Sequence, residues 1–545
     1  MSAALIARDI GVARGSVPVL SGVSVSVHAG VRLAVVGPNG VGKTTLLRVL
    51  AGELVPDEGS VRLLPPSGVV IHVAQELSIR PGETVLDYLG RSSGVAVRES
   101  AMSAAAEALG EGQAHPVAAG DSYDAAFQSW LVAGGADFAE RAAEICDRLG
   151  LHVDVATRGT ERLSGGQSAR LRLASALVSR PDVLLLDEPT NDLDLAGLTA
   201  LESLVMSTSA GVVLVSHDRE FLGRTVTGVV EIDEFTRMSS AYAGGWQSYL
   251  EERAAVRARA EQEYDQYAEL RADLVRRARR QREWARTGAA RSGNPAREPD
   301  KHIRFREVQR AQRTGAKAAA TDAALERLAA VEEPREEWEL RLHIASAGRG
   351  SDLVFALRDA VVERGDVRLG PLDLSVYAGE RIRLVGPNGS GKSTLIEALL
   401  GRLPLRSGTA YQGPGVVVGE MEQTRSVLRG TEPVLDVVRG LTGADVGETR
   451  TLLAKFRVGP DVVLRPADSL SPGERTRVGL ALFQARRVTC LVLDEPTNHL
   501  DLPAIEQLEQ ALDGYDGTLL LVTHDRRLAS SVRLNRDIDV LSLRA

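Results

Sequence analysis

The sequence predicts an α/β protein built from two tandem copies of one domain. A long α-helical hairpin joins the copies, and a short helical arm is inserted in the first. Two observations carry this reading. Four segments return in the same order, three of them at one constant offset, and about 40 residues between the copies contain neither proline nor glycine. A chain of 545 residues is long enough for two to four domains, each with its own core.

The first copy opens with VRLAVV running into GPNGVGKTT at 37–45, and the second with RIRLV running into GPNGSGKST at 386–394. VLLLDEPTNDLDL at 183–195 returns as CLVLDEPTNHLDL at 490–502. VSHD at 215–218 returns as VTHD at 522–525, and LSGGQ at 163–167 returns as LSPGE at 470–474. Lys43 to Lys392 is an offset of 349 and Gln75 to Gln423 one of 348, whereas Ser164 to Ser471, Glu188 to Glu495 and His217 to His524 are each 307. The first copy therefore carries 41 extra residues, and matching the flanks places them near 95–135, an Ala-rich stretch that predicts a helical hairpin. Domains at 1–244 and 346–545, with a linker at 245–345, follow from these registers.

The linker is helical by composition. From Trp246 to about Thr287 the residues are mostly Ala, Arg, Glu and Leu, which predicts a helix of ~60 Å. GAARSGNPAREPD at 288–300 predicts a turn, and a second helix is expected from about His302 to Glu333, before Pro334. Between 271 and 317 fifteen Lys/Arg face five Asp/Glu, a net of +10. The chain as a whole carries −8, so the remainder holds −18. Such a basic hairpin is suited to phosphate neutralisation on a nucleic acid. Trp284 and Phe305 flank the turn, where packing of the hairpin on itself competes with stacking on bases.

The repeated motifs specify phosphate chemistry. Gly37–Thr44 and Gly386–Ser393 both fit G-x-x-x-x-G-K-[ST] between a β-branched strand and an apolar helical stretch. Glycines let successive N–H groups curl around phosphates at a helix start, a lysine reaches the terminal phosphates, and the hydroxyl ligates Mg²⁺. The binding residues expected on this basis are Gly37, Pro38, Asn39, Gly40, Val41, Gly42, Lys43, Thr44 and Thr45, and in the second copy Gly386, Pro387, Asn388, Gly389, Ser390, Gly391, Lys392, Ser393 and Thr394. Apolar strands end in Asp187–Glu188 and Asp494–Glu495. The aspartates suit a Mg²⁺-bound water, and the glutamates suit activation of the attacking water. His217 and His524 each follow an apolar strand at the same offset, which favours a γ-phosphate contact.

The order of phosphate loop, glutamine, LSGGQ, DEPTN-x-LD and histidine resembles the ATP-binding-cassette ATPases over nearly the whole chain. Two cassettes with DEPTNDLD and DEPTNHLD, a basic helical linker and no membrane domain are similar to the ABC-F subfamily. The resemblance implies binding of ATP and Mg²⁺, with Thr44, Gln75, Asp187, Ser393, Gln423 and Asp494 around the metal and Glu188, His217, Glu495 and His524 catalytic. It implies two composite sites, Lys43 facing Leu470, Ser471, Pro472, Gly473 and Glu474, and Lys392 facing Leu163, Ser164, Gly165, Gly166 and Gln167. It further implies a monomer with intramolecular cassette pairing that binds the 70S ribosome at its E site. The linker, through 271–317, would reach rRNA, P-site tRNA and the peptidyl-transferase centre. REWARTGAARS and LERLAAVEEP look like the linker of antibiotic-resistance members, so resistance by ribosome protection is preferred over a housekeeping translation factor.

Three departures accompany the resemblance. Pro472 replaces a glycine and removes an N–H donor, so the Lys43 site is expected to hold its γ-phosphate more loosely. Arg14 and Arg364 stand where an aromatic residue often stacks on adenine; guanidinium stacking and plain exposure are both open. The arm has a single arginine, Arg98, across 97–134, which argues against strong rRNA binding by it.

Other classes fit less of the chain. The ATPase subunit of a drug exporter leaves the hairpin without a role, and a DNA-maintenance ATPase calls for zinc clusters or longer coiled coils. No apolar run reaches the ~18 residues of a membrane span, and the N-terminus lacks a signal-peptide layout. Cys146 and Cys490 stand in apolar contexts expected of reduced core thiols, and a cytoplasmic location is expected.

Overall fold

The structure, a computed structural model, describes residues 3–292 and 351–544, apart from 16, 67, 74–78, 111–115, 152–157, 164, 192, 366, 422–423, 425–426, 457 and 499, together with single positions between 309 and 328. Two compact units result, one formed by Met1–Gln247 with Leu340–Ala545, the other by Ser248–Glu339.

Both cassettes lie in the first unit and share one plan. In the first, β1 (Ala4–Arg14), β2 (Val17–His28) and β4 (Glu58–Leu64) form an antiparallel sheet in the order β2-β1-β4, while β3 (Arg32–Val36) belongs to the core sheet. That core sheet runs β5-β6-β7-β3-β8-β9, with β5 (Val70–Val73), β6 (Val183–Asp187), β7 (Gly211–Val215), β8 (Gly228–Ile232) and β9 (Ser239–Ala243). All pairs are parallel except β8–β9. VLLLD and GVVLV are buried at every position, as strands covered on both faces must be. In the second cassette β10 (Leu353–Arg364), β11 (Val367–Tyr377) and β13 (Ser407–Gln412) repeat the antiparallel sheet. The second core sheet runs β14-β15-β16-β12-β17, from β12 (Arg381–Val385), β14 (Val418–Glu420), β15 (Cys490–Asp494), β16 (Thr518–Val522) and β17 (Arg536–Asp539). Helices Lys43–Leu50 and Lys392–Leu399 bury Leu46, Leu47, Leu395 and Leu399 between the two sheets of their own cassette. Each phosphate loop thus starts at the carboxyl end of a central strand, where open α/β sheets bind ligands.

The copies are not identical where they match. Glu53 holds His72 at 2.9 Å, and at the same two places of the second copy Arg402 holds Glu420 at 2.7 Å, a change of sign at one end of the pair. The insertion contains the helices Val95–Gly110 and Pro116–Val132, with Tyr123, Phe127 and Trp130 stacked along the second (centroids 6.0 Å apart). Cys146 and Cys490 are both buried and free.

The second unit corrects one expectation. The linker helix runs from Trp246 to Ser292, 47 residues and about 70 Å, so the first five residues expected in the turn are helical. One glycine, Gly288, costs a helix only about 1 kcal/mol, and two alanines and an arginine follow it. The rest of the expected turn, and Phe305 with it, lies outside the described residues, as does the side chain of Trp284. The described positions from 309 to 327 are helical. Arg276 and Arg277 share Asp273 (3.8 and 2.6 Å), and Arg279 lies 3.5 Å from Glu283, with all three guanidinium groups well exposed.

Candidate functional site

Glycine conformations shape both phosphate loops. Gly42 (φ 110°) and Gly391 (φ 108°) sit immediately before the helices that Lys43 and Lys392 open. A Cβ on Gly42 would come within 2.8 Å of Leu20, and one on Gly391 within 2.8 Å of Val367. Lys43 Nζ donates to the carbonyls of Gly37 (2.7 Å) and Pro38 (3.0 Å), and Lys392 Nζ to those of Gly386 (2.8 Å) and Pro387 (3.1 Å). Burial pushes both lysines below their ordinary pKa, against the pull of nearby carboxylates. Val41 and Ser390 point inward, at 1% exposure each.

The loops open into two cavities. One, of about 410 Å³, is lined by Asn388, Gly389, Gly391, Lys392, Ser393, Thr394, Asp494, Glu495 and His524, and across from them by Gly165, Gly166, Thr190, Asn191, His217 and Asp218 of the first cassette. The other, of about 430 Å³, is lined by Asn39, Gly40, Gly42, Lys43, Thr44, Thr45, Asp187, Glu188 and His217, with Pro472 from the second cassette. Arg14 borders the Lys43 cavity, whereas Arg364 is not among the residues lining the other. Leu163, Gln167, Leu470, Ser471, Gly473 and Glu474 stand back from the cavity walls. Gln75, Gln423 and Ser164 lie outside the described residues.

Pro472 is the first residue of helix Pro472–Ala485. Ser471 caps that helix and Glu474 folds back on Ser471 N–H at 2.8 Å, while Arg465 pairs with Glu474 at 3.1 Å. A first-turn N–H has no partner within its own helix, so proline costs the helix nothing there.

The carboxylates are set by unusual backbone. Glu188 (φ 46°) and Glu495 (φ 44°) occupy the left-handed region directly after β6 and β15. Each is pinned there by its N–H, which donates to Val215 O (3.0 Å) or Val522 O (2.9 Å) on the neighbouring strand. Such conformations in non-glycine residues persist where the surroundings impose them, and they cluster at functional sites. Burial raises the Glu188 carboxyl to about 7, with Lys43 opposing, and raises Glu495 to about 7, with the His524 N–H opposing. Burial, with the adjacent lysine, holds His217 down to about 3 and His524 to about 4, so both imidazoles are neutral at pH 7.

Several of these polar atoms are buried without a partner. His217 Nε2 lies 3.1 Å from Glu188 Oε1, but the two are not aligned for a hydrogen bond. Glu188 Oε1, both His217 nitrogens and Glu495 Oε1 are unsatisfied among the described residues. Buried polar atoms left in this way suit a polar ligand or a water, and the N–H-rich loop beside them suits an anion. Thr44 bonds the carboxylate of Asp187, which burial raises, and Ser393 Oγ donates to Asp494 at 2.6 Å. Among the described residues no three His, Cys, Asp or Glu side chains converge on one point. A hydroxyl beside a carboxylate fits Mg²⁺, an ion that completes its shell with phosphate oxygens and water.

Two features escape motif reading. Asn39 N–H donates to Asp501 of the second cassette (3.1 Å), and Asn388 N–H to Asp194 of the first (3.3 Å). Arg237 reaches the back of one phosphate loop at Gly40 O (3.4 Å), as Arg544 reaches that of the other at Ser390 O (3.2 Å). The 307-residue offsets from Asp194 to Asp501 and from Arg237 to Arg544 were the available signal.

A family model described as ABC transporter matches residues 20–191 and 369–498. The chain is 36% identical over 524 residues to the tylosin resistance ATP-binding protein TlrC of Streptomyces fradiae, covering 94% of this chain and 93% of that one. It is 32% identical to the putative ATP-binding protein YdiF of Bacillus subtilis (94% and 76% covered) and 28% identical to ABC transporter F family member 2 of Arabidopsis thaliana (96% and 74%). Among solved structures, the archaeal ribosome recycling factor aABCE1, in complex with the ribosomal stalk protein aP1, superposes with a TM-score of 0.57 over 96% of this chain and 86% of that one; at 19% identity this is a likeness of fold.

Proposed function

The chain belongs to the ABC-transporter family of ATPases, in its ABC-F branch, and from that premise we propose that it hydrolyses ATP in two composite sites and acts on the ribosome through its linker, conferring resistance to a peptidyl-transferase-centre drug. Each site takes a phosphate loop from one cassette and the start of a signature helix from the other. Lys43 and Lys392 bind the terminal phosphates; Thr44 with Asp187, and Ser393 with Asp494, hold Mg²⁺, which neutralises phosphate charge when bound. Glu188 and Glu495, titrating near neutrality, accept a proton from the attacking water, and the neutral His217 and His524 contact the γ-phosphate. Gln75 and Gln423 complete this proposal as residues approaching the metal.

The observation that carries the ribosome reading is the charge of the linker, +10 within 47 residues against −18 elsewhere. RNA phosphate is the partner such a segment suits, and no helix among the described residues is long and apolar enough to cross a membrane. The identity with TlrC favours resistance over general translation. The test is sucrose-gradient co-sedimentation of the Glu188→Gln, Glu495→Gln double variant with 70S ribosomes in ATP. Retention in the 70S fraction with translation inhibited is expected; a variant that stays at the top of the gradient refutes the reading.

A further inference from the structure

Two arginines outside every phosphate motif tie the cassettes together. Arg219 follows His217 by two residues and opens the helix Arg219–Thr225, whose N-cap Asp218 accepts from the N–H groups of Glu220 and Phe221 (3.0 Å each). Its side chain is 5% exposed, and its guanidinium reaches Glu509 at 2.5 Å and Glu506 at 3.2 Å. Both acids stand on the helix Leu502–Asp513 of the other cassette. Arg526 holds the same place after His524 and reaches Glu202 at 2.7 Å, on the helix Leu195–Ser207. The register confirms that the pairs are counterparts, since Arg219 to Arg526 and Glu202 to Glu509 are both offsets of 307. The second pair has partners on its own cassettes and across them: Glu202 also takes Arg224 at 3.2 Å, and Arg526 lies 3.7 Å from Glu220.

Each pair closes a circuit that starts at one phosphate loop. Asn39 of the phosphate loop donates to Asp501, the N-cap of Leu502–Asp513. About 12 Å further along that rigid helix, Glu509 grips Arg219. His217, two residues before Arg219, borders the cavity of Lys43 and that of Lys392 as well. The second circuit runs from Asn388 through Asp194, Glu202 and Arg526 to His524, which borders the cavity of Lys392. One helix of the opposite cassette is therefore held at its start by the phosphate loop and near its end by the histidine segment of the same site. Charge-assisted Arg–carboxylate bonds are the strong class of hydrogen bond, and these form only when the cassettes meet.

We propose that Arg219 and Arg526 are positioning residues, each setting its histidine in register with its phosphate loop by gripping the other cassette, so that each site carries its own closure latch. The inference rests on the reading of the two cavities as ATP sites. It is tested on the full-length protein by ATPase kinetics and melting temperature of Arg219→Glu, Glu509→Arg and their double exchange, in two backgrounds. In Glu495→Gln, where turnover comes from the Lys43 site, either single change should lower kcat about 10-fold or more with KM moved less than about 3-fold. The double exchange should return kcat to within about 3-fold of the background. In Glu188→Gln, where turnover comes from the Lys392 site, the same changes should cost less than about 2-fold. Arg526→Glu and Glu202→Arg should show the opposite assignment. Should Arg219→Glu fail to fold, Arg219→Lys replaces it, with a smaller kcat loss confined to the Glu495→Gln background. Equal losses in both backgrounds, an exchange without recovery, or unchanged kcat overturns the latch. Wild-type turnover in the Glu188→Gln, Glu495→Gln protein overturns the ATP-site reading instead, a result that the arginine variants cannot produce.

Discussion

Glu188 and Glu495 have backbones in a region that favours glycine, carboxyls raised to about 7, and one oxygen each without a partner. A base acts only when deprotonated, so ATP turnover should fall as pH drops below about 7, and the pH profile of kcat checks this. Stability should respond with a defined sign. A carboxyl raised in the folded protein favours folding while it is protonated, and that contribution is lost as pH rises through about 7. Replacing both by Gln should therefore raise Tm at about pH 8 and much less at about pH 5.5, in thermal melts without nucleotide. ATP binding should survive, because neither carboxylate forms the phosphate loop. Their identity was legible in the two DEP motifs, but their φ angles were not, since nothing in the sequence marks a glutamate for the left-handed region.

Pro472 stands at the start of its helix and borders the Lys43 cavity, so Pro472→Gly should restore a donor there and raise ATP affinity of that site a few-fold. ATP titration of the Glu495→Gln protein with and without the change measures it. On the linker helix, Arg276, Arg277, Arg279 and Arg280 are exposed, and exposed ion pairs such as those to Asp273 and Glu283 contribute little to stability. Changing all four to Gln should leave Tm almost unaltered yet flatten the salt dependence of ribosome binding by up to about one logarithmic unit per lost phosphate contact. Pelleting at two salt concentrations decides it. The repeat made both phosphate loops, both acidic strands and the inserted helices legible, because each is written in local spacing. Gly288 misled because glycine suits a turn, yet a single glycine among good helix formers leaves a helix intact. Arg14 and Arg364 occupy matching positions, but only Arg14 borders a cavity, a difference set by surrounding side chains rather than by the motif.

At the scale of the molecule, the division of labour is testable. Every residue lining the two cavities belongs to the unit that contains both cassettes, and none to Ser248–Glu339. Replacing 248–339 by a long Gly/Ser linker should leave ATP turnover within about 3-fold of wild type and abolish co-sedimentation with ribosomes. Loss of turnover in that protein would assign the linker a part in hydrolysis. The contacts between cassettes were the least legible feature, because Asn39–Asp501 and Arg219–Glu509 join residues far apart in sequence whose meeting depends on how two whole domains dock.

The replacement of the pair Glu53–His72 by Arg402–Glu420 bears on how such a protein can change. In a symmetric homodimer every substitution arises twice, and a harmful one strikes both halves at once. A single gene encoding both halves removes that coupling, so a residue pair can be rewritten in one half while its counterpart preserves the older solution. Inheritance then acts on each half separately, and specialisation of one active centre need not await a tolerant change in its twin.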